Sequence, residues 1–500
     1  MAKYLMGIDN GGTMTKAAIF DTAGNEIATG SQDTPLLVPQ DGFCERDMND
    51  LWNATVNAIK TAIAKANIDT KDIIAIGCTG HGKGLYLWGK DGKPAYNAIT
   101  STDRRALSYV DKWNADGTAL KAREYTLQNL RETQGVPLLA WLKDNHPEVV
   151  ENTQYIFEAK DFIRFMLTGV ANTEYTDSSS TSLMNLKTMT FDKEVLKIFG
   201  LEDCYEKLPP LKYSYELCGT VTEEISKQTG LAAGTPVCGG MFDIDACAIA
   251  MDVSDPEKLC AITGTWSINE YISETPIPPE GTTQNSIFCI PGYYLIEESS
   301  PTSAGNLEWY IKNFLGKEKM EVGASGGRLY DWIDQQVDAI KPEDSNVIFL
   351  PFLYGTNDPK CQLSAFTGLN NFHTTGHLLR AIYEGVTFSH MYHIEKLLAL
   401  RDTPTAIRMA GGATKSEVWL QMFADVIGLP IEMIKTKELG TLGCAMAGAV
   451  ACGLHKDYKE AAKSMVQVGR TVHPNMERHK IYAEKFARYK KLIKLLSELY

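Results

Sequence analysis

Three glycine-bearing segments lie far apart in the chain, and each carries residue types suited to a phosphate group. They are Gly7-Ile-Asp-Asn-Gly-Gly-Thr-Met-Thr-Lys16, Ile262-Thr-Gly-Thr-Trp-Ser267 and Met409-Ala-Gly-Gly-Ala-Thr-Lys-Ser416. In the first, a strand ends at Asp9, turns through glycine and returns from Lys16 to Phe20. Gly11 and Gly12 allow the positive φ of a tight hairpin and let backbone N–H groups approach phosphate oxygens with no Cβ in the way. Thr13 and Thr15 add hydroxyl donors, and Asp9 puts a carboxylate where a magnesium ion or its waters would sit. The lysine-terminated P-loop pattern does not match here. A strand–Gly-Gly hairpin is also an ordinary turn, so no single segment decides the matter. The second segment is again a strand entering a glycine turn, an echo of the first. Two halves that each open on such a hairpin suggest duplicated domains closing on a nucleotide.

The elements that must position these segments follow from periodicity. Alternation over 8–28, with a turn at Thr22-Ala-Gly24, predicts a three-stranded antiparallel meander. Trp52, Val56, Ile59, Ile63 and Ala66 recur at spacings of four and three, which predicts a helix over 49–66. An apolar strand at 73–76 runs into Cys78-Thr-Gly-His-Gly-Lys-Gly84, and a second strand follows at 85–88. Residues 103–215 are rich in helix and turn signals and read as an insertion covering the first domain. At 237–246 a strand end precedes a helix start. The second half has a strand at 260–263, a helix at 304–314 and a long helix at 377–398. A strand at 407–410 then meets Gly411-Gly412, and a helix at 416–427 stops at Gly428. Asp255-Pro256 breaks the chain, so the expected domains are 1–250 and 251–500, both mixed α/β.

Size and composition allow this. A chain of 500 residues exceeds one core, and two domains are the natural expectation. Apolar residues make up 44% and charged residues 22%, as in soluble globular proteins. The net charge of −13 argues against a nucleic-acid or membrane-surface footprint, while local dipoles and a metal ion still permit an anionic nucleotide. No secretory core opens the chain, and no apolar run approaches membrane-spanning length. The 11 cysteines show no metal-ligand pairing. Several lie in apolar stretches (Cys78, Cys238, Cys247, Cys444) and read as reduced core residues of a cytoplasmic protein.

The segment Ser364-x-Phe366-x-Gly368-Leu369, seven residues, then His377-Leu378-x-x-Ala381-Ile382-Tyr383-Glu384 resembles the carboxy-terminal signature of the FGGY carbohydrate kinases at every defined position. Gly42-Phe-Cys-Glu-Arg-Asp47 before Trp52, Asp9-x-Gly-Gly-Thr13, Gly264-Thr265 and Ala410-Gly-Gly-Ala413 fall in that family's order, so the resemblance covers essentially the whole chain. It departs where the amino-terminal signature carries a lysine three residues before its tryptophan: alignment on Trp141 puts Leu138 there. Gly355-Thr-Asn357 also replaces a Gly-Glu-Arg stretch of many relatives. The resemblance implies an actin-like fold of two ribonuclease-H-like domains, with ATP and Mg2+ in the cleft between them. Within the family, Gly82-Lys-Gly84, Ser101-x-Asp-Arg-Arg105 and Ser300–Trp309 are most similar to bacterial L-xylulose kinases.

Phosphorylating a sugar hydroxyl needs a magnesium-bound triphosphate, an aligned alcohol and a group to take the alcohol proton. The transition state is loose, the proton leaves late, and a carboxylate suffices. The resemblance makes Asp243, which follows Gly239-Gly240, the catalytic base and a neighbour of sugar and metal. Taken alone, Asp243 reads first as the cap of the helix that begins beside it, a common use of Asp. Asp245 is the rival carboxylate. Asp9 is assigned to magnesium, and Thr13, Thr15, Gly264 and Thr265 join Gly11 and Gly12 on the phosphates. Gly411, Gly412 and Ser416 are expected near the adenosine, with Gly305 and Glu308 facing the nucleotide. Met409 and the Trp419, Met422, Phe423 stripe read as core. For the sugar, the resemblance points to Gly82, Lys83 and Asp103, with His81 as a neutral donor or a structural residue and Lys83 alternatively a solvated hairpin lysine. The expected acceptor is L-xylulose or 3-keto-L-gulonate, the alternatives being D-xylulose, L-ribulose, glycerol or erythritol. An actin-like ATPase with a binding role is the competing class. A small-molecule sugar is the expected partner and a homodimer the expected assembly.

Overall fold

The computed structural model describes residues 2–264, 266–278, 283–356 and 364–498. Thr265 and Asn357 therefore lie outside the described residues.

The first meander consists of β1 (Tyr4–Asn10), β2 (Met14–Asp21) and β3 (Glu26–Asp33), all antiparallel. Helix α1 (Met48–Ala66) then crosses back to β4 (Ile73–Gly80), which pairs parallel with β1. A parallel pair requires such a crossover. Asp47 caps α1 by accepting from the N–H groups of Asn49 and Asp50, and Asn67 ends it in the left-handed region. Strands β5 (Leu217–Thr220) and β6 (Pro236–Cys238) complete the order β5-β6-β4-β1-β2-β3, and the short β7 (Met241–Phe242) also pairs with β4. Helix α2 (Ala159–Thr168) packs Phe162, Ile163 and Leu167 into this core. Helix α3 (Asp243–Ala250) follows β7. The expected insertion has a core of its own, with Leu85, Trp113, Leu138 and Phe199.

The second half repeats the plan. Strand β8 (Leu259–Thr263) pairs antiparallel with β9 (Ser267–Ser273), and β10 (Gln284–Ile287) and β11 (Tyr294–Ser300) extend that side. Helices α4 (Gly305–Phe314), α5 (Leu329–Asp338) and α6 (Thr375–Leu398) lead to β12 (Ile407–Gly411), which lies parallel to β8. Then come α7 (Glu417–Ile427), β13 (Ile431–Ile434) parallel to β12, α8 (Leu439–Ala451), β14 (Val468–Val472) and α9 (Met476–Leu496). The pattern reading above omits α9, although Tyr482, Phe486, Tyr489 and Ile493 recur at its buried face behind the Asn475 cap.

Helices α3 and α8 occupy equivalent places in the two repeats, each after the third parallel strand, and they pack against each other. Helix α8 also lies across β1 and β4 of the first sheet. The backbones meet there: a Cβ on Gly7 would fall 1.9 Å from the Thr441 carbonyl oxygen, and one on Gly77 would fall 2.3 Å from that of Cys444. Small residues permit this approach, so α8 shares a core with Leu5, Ala18 and Ala75. In space, the second half of the chain thus reaches into the first. Cys78, Cys238 and Cys444 are buried free thiols and Cys247 a half-buried one. Among the described residues, no helix is long and apolar enough to cross a membrane.

Candidate active site

The turn between β1 and β2 stands at the cleft edge. Gly11 N–H donates to Met14 O at 3.0 Å, while Gly12 and Thr13 are exposed. Arg46, one residue before the α1 cap, donates to Gly11 O at 3.2 Å and to Gly12 O. Neither glycine has the positive φ expected of it, and a Cβ on Gly12 would meet nothing within 4 Å. What singles these glycines out is therefore room for an approaching group rather than backbone conformation. Thr15 departs from expectation: it is fully buried and accepts from Asn10 Nδ2 at 3.1 Å, because it pairs with Asn10 inside the ladder. In the equivalent turn of the second half, Gly264 N–H donates to Trp266 O at 3.2 Å.

At the third glycine segment the conformation does require glycine. Gly411 has φ of 103°, and a Cβ there would fall 2.4 Å from Thr263 O. Thr263 stitches the two segments, donating to Ala410 O at 2.9 Å and accepting from Ala413 N–H at 3.2 Å. Beside them a cavity of about 220 Å³ is lined by Ala304, Leu307, Glu308, Tyr330, Asp334, Tyr383, Gly412, Ser416 and Trp419, among others. Ser416 accepts from Trp419 N–H at 3.0 Å and donates to Asp334 at 2.7 Å. Tyr383 also donates to Asp334, at 2.8 Å, and its ring stacks on Trp419 at 4.1 Å. Glu308, Gly412 and Ser416 are thus brought together. Gly305 starts α4 with its Cβ position 3.5 Å from the Tyr354 ring, outside this cavity lining. Met422 and Phe423 are core as read, but Trp419 is both core and cavity wall. Asp334 and Tyr330 escaped the pattern reading, and Tyr383 entered it only as a signature position, because their convergence is tertiary.

Two carboxylates of the first half, Asp9 and Asp243, lie close enough to repel each other. Asp9 is the penultimate residue of β1, still partly open to solvent. The surrounding protein pushes its carboxyl up to about 6, with Lys16 pulling down and Glu438 pushing up. Asp243 opens α3 and is also partly open. Burial raises its carboxyl well above the ordinary range, helped by Asp9 and Asp177, against the Ile244 N–H and Lys83. Asp243 is the first residue of its helix rather than the cap, which is Phe242. Asp245 is fully buried, accepts from Cys289 N–H at 3.0 Å, and has its carboxyl raised well above the ordinary range by burial beside Glu174 and Glu270. That separates the two aspartates: one keeps partial exposure and one is committed to the core. Among the described residues, no group of three or more His, Cys, Asp or Glu is arranged as a metal site. Magnesium at a nucleotide needs only one or two carboxylates plus phosphate and water, and the mutual repulsion of Asp9 and Asp243 is what a cation would relieve.

Among the residues expected near the sugar, Gly82 is needed because a Cβ would fall 1.9 Å from Phe242 Cε2. Lys83 adopts φ of 60°, its N–H donating to Asp177 at 3.0 Å and its Nζ 5.8 Å from the Phe242 ring centroid. His81 is buried and bonded through Nε2 to Tyr86 Oη at 2.6 Å. Burial and Arg46 lower it to about 3, so it is neutral. Asp103 does not present a free carboxylate. It is fully buried, accepting from Cys44 N–H at 2.6 Å and from the Arg105 Nε and Nη2 at 2.9 and 2.8 Å. A buried carboxylate needs such pairing, so Asp103 holds the 43–45 segment and Arg105 in place. Next to it a cleft of about 420 Å³ is lined by Thr102, Arg104, Arg131 and Thr133 of the first half and by Trp266, Pro301 and Tyr354 of the second, among others. Thr133 O accepts from Gly84 N–H at 2.9 Å, which joins this cleft to the Lys83 turn.

Two repeated α/β halves, each with a glycine turn, superpose as a whole on sugar-kinase structures and define a two-domain sugar-kinase fold. Residues 4–250 match the N-terminal domain of the FGGY family of carbohydrate kinases, and residues 259–452 match its C-terminal domain. The chain belongs to that family and is a carbohydrate kinase. It is 36% identical to the L-xylulose/3-keto-L-gulonate kinase of Escherichia coli K12, covering 99% of this chain and 98% of the relative. It is 35% identical to a probable L-xylulose kinase of Haemophilus influenzae, covering 99% of each. A xylulose kinase structure from Lactobacillus acidophilus superposes with a TM-score of 0.90 at 26% identity, covering 99% of this chain and 98% of that one.

Proposed function

We propose that the enzyme transfers the γ-phosphoryl group of ATP to a terminal hydroxyl of L-xylulose or 3-keto-L-gulonate, with Asp243 as the general base. The observation that supports this is the neighbourhood of Asp243: it opens α3, partly open to solvent, within electrostatic reach of both Asp9 and Lys83. The L-configured acceptors come from the names of the relatives matched over the full chain. Gly11, Gly12, Thr13 and Gly264 offer their turns to the phosphates, and the cavity of Glu308, Gly412, Ser416 and Trp419 accepts the adenosine. Asp9 and Asp243 would hold magnesium, which supplies positive charge against the phosphates and both carboxylates.

Asp243 takes the acceptor proton late, as the new O–P bond forms, so its role is modest in basicity and strict in position. Lys83 donates to the polyol from the same side. Glycine turns on opposite halves would close on both substrates and exclude water. Reduced thiols support a cytoplasmic setting. Asp243→Asn tests the reading: turnover falls by roughly 10²–10⁴-fold, while ATP affinity and the folded structure remain. An Asp243→Asn enzyme with near-normal turnover would remove the base from this position.

A further inference from the structure

Behind the Lys83 turn lies a cluster of charged side chains with almost no exposure: Lys160, Asp161 and Arg164 on α2, then Glu174 and Asp177. Apolar side chains of similar volume would often stabilise a core as well or better, so these ions call for a reason other than stability. Their bonds run to two chain segments that frame the cleft. Asp177 Oδ1 accepts from the Lys83 N–H at 3.0 Å. Thr176, the adjoining residue, accepts at its hydroxyl oxygen from the Phe242 N–H at 2.8 Å. That second bond lies one residue from Asp243.

The remainder of the cluster fixes this pair of acceptors. Asp177 Oδ2 is 3.4 Å from Lys160 Nζ, which is 3.3 Å from Asp161. Asp161 is 2.9 Å from Arg164, and Arg164 donates to Gly239 O, in the glycine pair ahead of Asp243. The Thr176 hydroxyl donates to Glu174 at 2.6 Å, which leaves its lone pairs aimed at Phe242. Lys83 meanwhile holds a left-handed conformation, one that a lysine keeps only where its surroundings enforce it. The Asp177 bond lies on the N–H of that residue.

We infer that Asp177 is a positioning residue for the phosphoryl-transfer site: with Thr176 it sets the separation of the Lys83 turn from Asp243 by holding one backbone N–H of each segment. This rests on Asp243 being the base. A displacement of the order of 1 Å at such a site costs about 100-fold in rate, so the cluster acts on sugar alignment without touching the sugar. The nucleotide cavity on the second half lies outside its reach.

Steady-state kinetics of the full-length enzyme, normalised to folded protein, test this with Asp177→Ala, Asp177→Asn and Thr176→Val. Asp177→Ala removes the acceptor for Lys83 N–H, and kcat/KM for the sugar falls by about 30- to 300-fold. KM for ATP stays within about twofold. Asp177→Asn keeps an acceptor oxygen and recovers to within about fivefold of the parent. Thr176→Val removes the acceptor for Phe242 N–H with little change of shape, and it reproduces the sugar-specific loss even if Asp177→Ala does not fold. The inference is overturned if the foldable variants keep sugar kcat/KM within about threefold of the parent. It is also overturned if sugar and ATP parameters fall in parallel, as general loosening would cause, or if Asp177→Asn is as impaired as Asp177→Ala. Asp243→Asn separates the two levels. If that variant is inactive and Asp177→Ala is normal, only the positioning role fails; if it is active, the base assignment itself fails.

Discussion

The ammonium of Lys16 lies 2.7 Å from the Glu438 carboxylate, and the two act on Asp9 in opposite senses. Lys16 belongs to β2 in the first half and Glu438 immediately precedes α8 in the second, so the pair bridges the repeats beside the proposed magnesium ligand. Gly440, two residues on, packs against Asp9: a Cβ there would fall 2.6 Å from its Oδ2. With side-chain exposures of 34% and 22%, the bridge contributes at most about 1 kcal/mol to stability. Its consequence is electrostatic.

Lys16→Met removes the cation that lowers Asp9 and leaves Glu438, which raises it. The Asp9 carboxyl then rises further, so the acid limb of magnesium-dependent activity moves to higher pH in titrations repeated across pH, while the melting temperature changes little. Magnesium titration of kinase activity measures this. An unchanged titration would detach Asp9 from metal binding.

Gly12 and Gly411 separate two uses of glycine. Gly12→Ala meets no atom within 4 Å and needs no positive φ, so stability stays within about 0.5 kcal/mol of the parent, whereas KM for ATP rises. Gly411→Ala places a methyl 2.4 Å from Thr263 O at φ of 103° and costs about 2–4 kcal/mol. Denaturant unfolding together with ATP kinetics distinguishes them. Equal destabilisation of both variants would contradict the geometry.

Glu298 predicts an acid-sensitive second half. Burial alone would raise its carboxyl, but the hydrogen bond from His393, the charges of Lys396 and His393, and Thr283 bring it down to about 2 from 4.5. A carboxylate depressed in the folded state contributes stability that is fully present above its unfolded value and is lost as pH falls through the folded one. The loss therefore runs from about pH 4.5 to about pH 2 and is on the order of 3 kcal/mol. Glu298→Gln lowers stability at pH 7 and flattens that slope, as melting curves across the range would show. A parent and variant with parallel pH profiles would exclude Glu298 as the source.

The acceptor is tested by specificity constants for L-xylulose, 3-keto-L-gulonate, D-xylulose, L-ribulose, glycerol and erythritol. One of the first two is expected to lead, because a site that hydrogen-bonds a given hydroxyl rejects its epimer when polar groups are left buried and mispaired. A lead of D-xylulose or a simple polyol by more than about tenfold, or about 1.4 kcal/mol, would refute the L-ketose reading and leave the carbohydrate kinase standing.

Much of this molecule was legible in local pattern. The 49–66 periodicity and the capping residues place α1 and α7 within a residue, and alternation finds the first meander, which runs four or five residues further at each end than read, because period and capping are local properties. The family signature, carried by residues such as Phe366, Gly368 and Glu384, identified the class of chemistry. Other assignments depended on what meets what in space. Gly12 was found for its turn, yet its φ is ordinary and only the open space beside it matters. Thr15 and Asp103 carry the right chemical groups, but Asn10 and Arg105 use them internally. Asp243 and Asp245 are equivalent as residue types, and only the packing of α3 leaves one partly open to solvent and turns the other to the Cys289 backbone. The crossing of α8 over β1 likewise depends on Gly7 meeting Thr441, a contact between residues more than four hundred positions apart. Sequence determined the elements and the family because both are written in short-range order. Tertiary structure decided which polar groups stay available for substrate, because a buried group must satisfy its partners within the fold first.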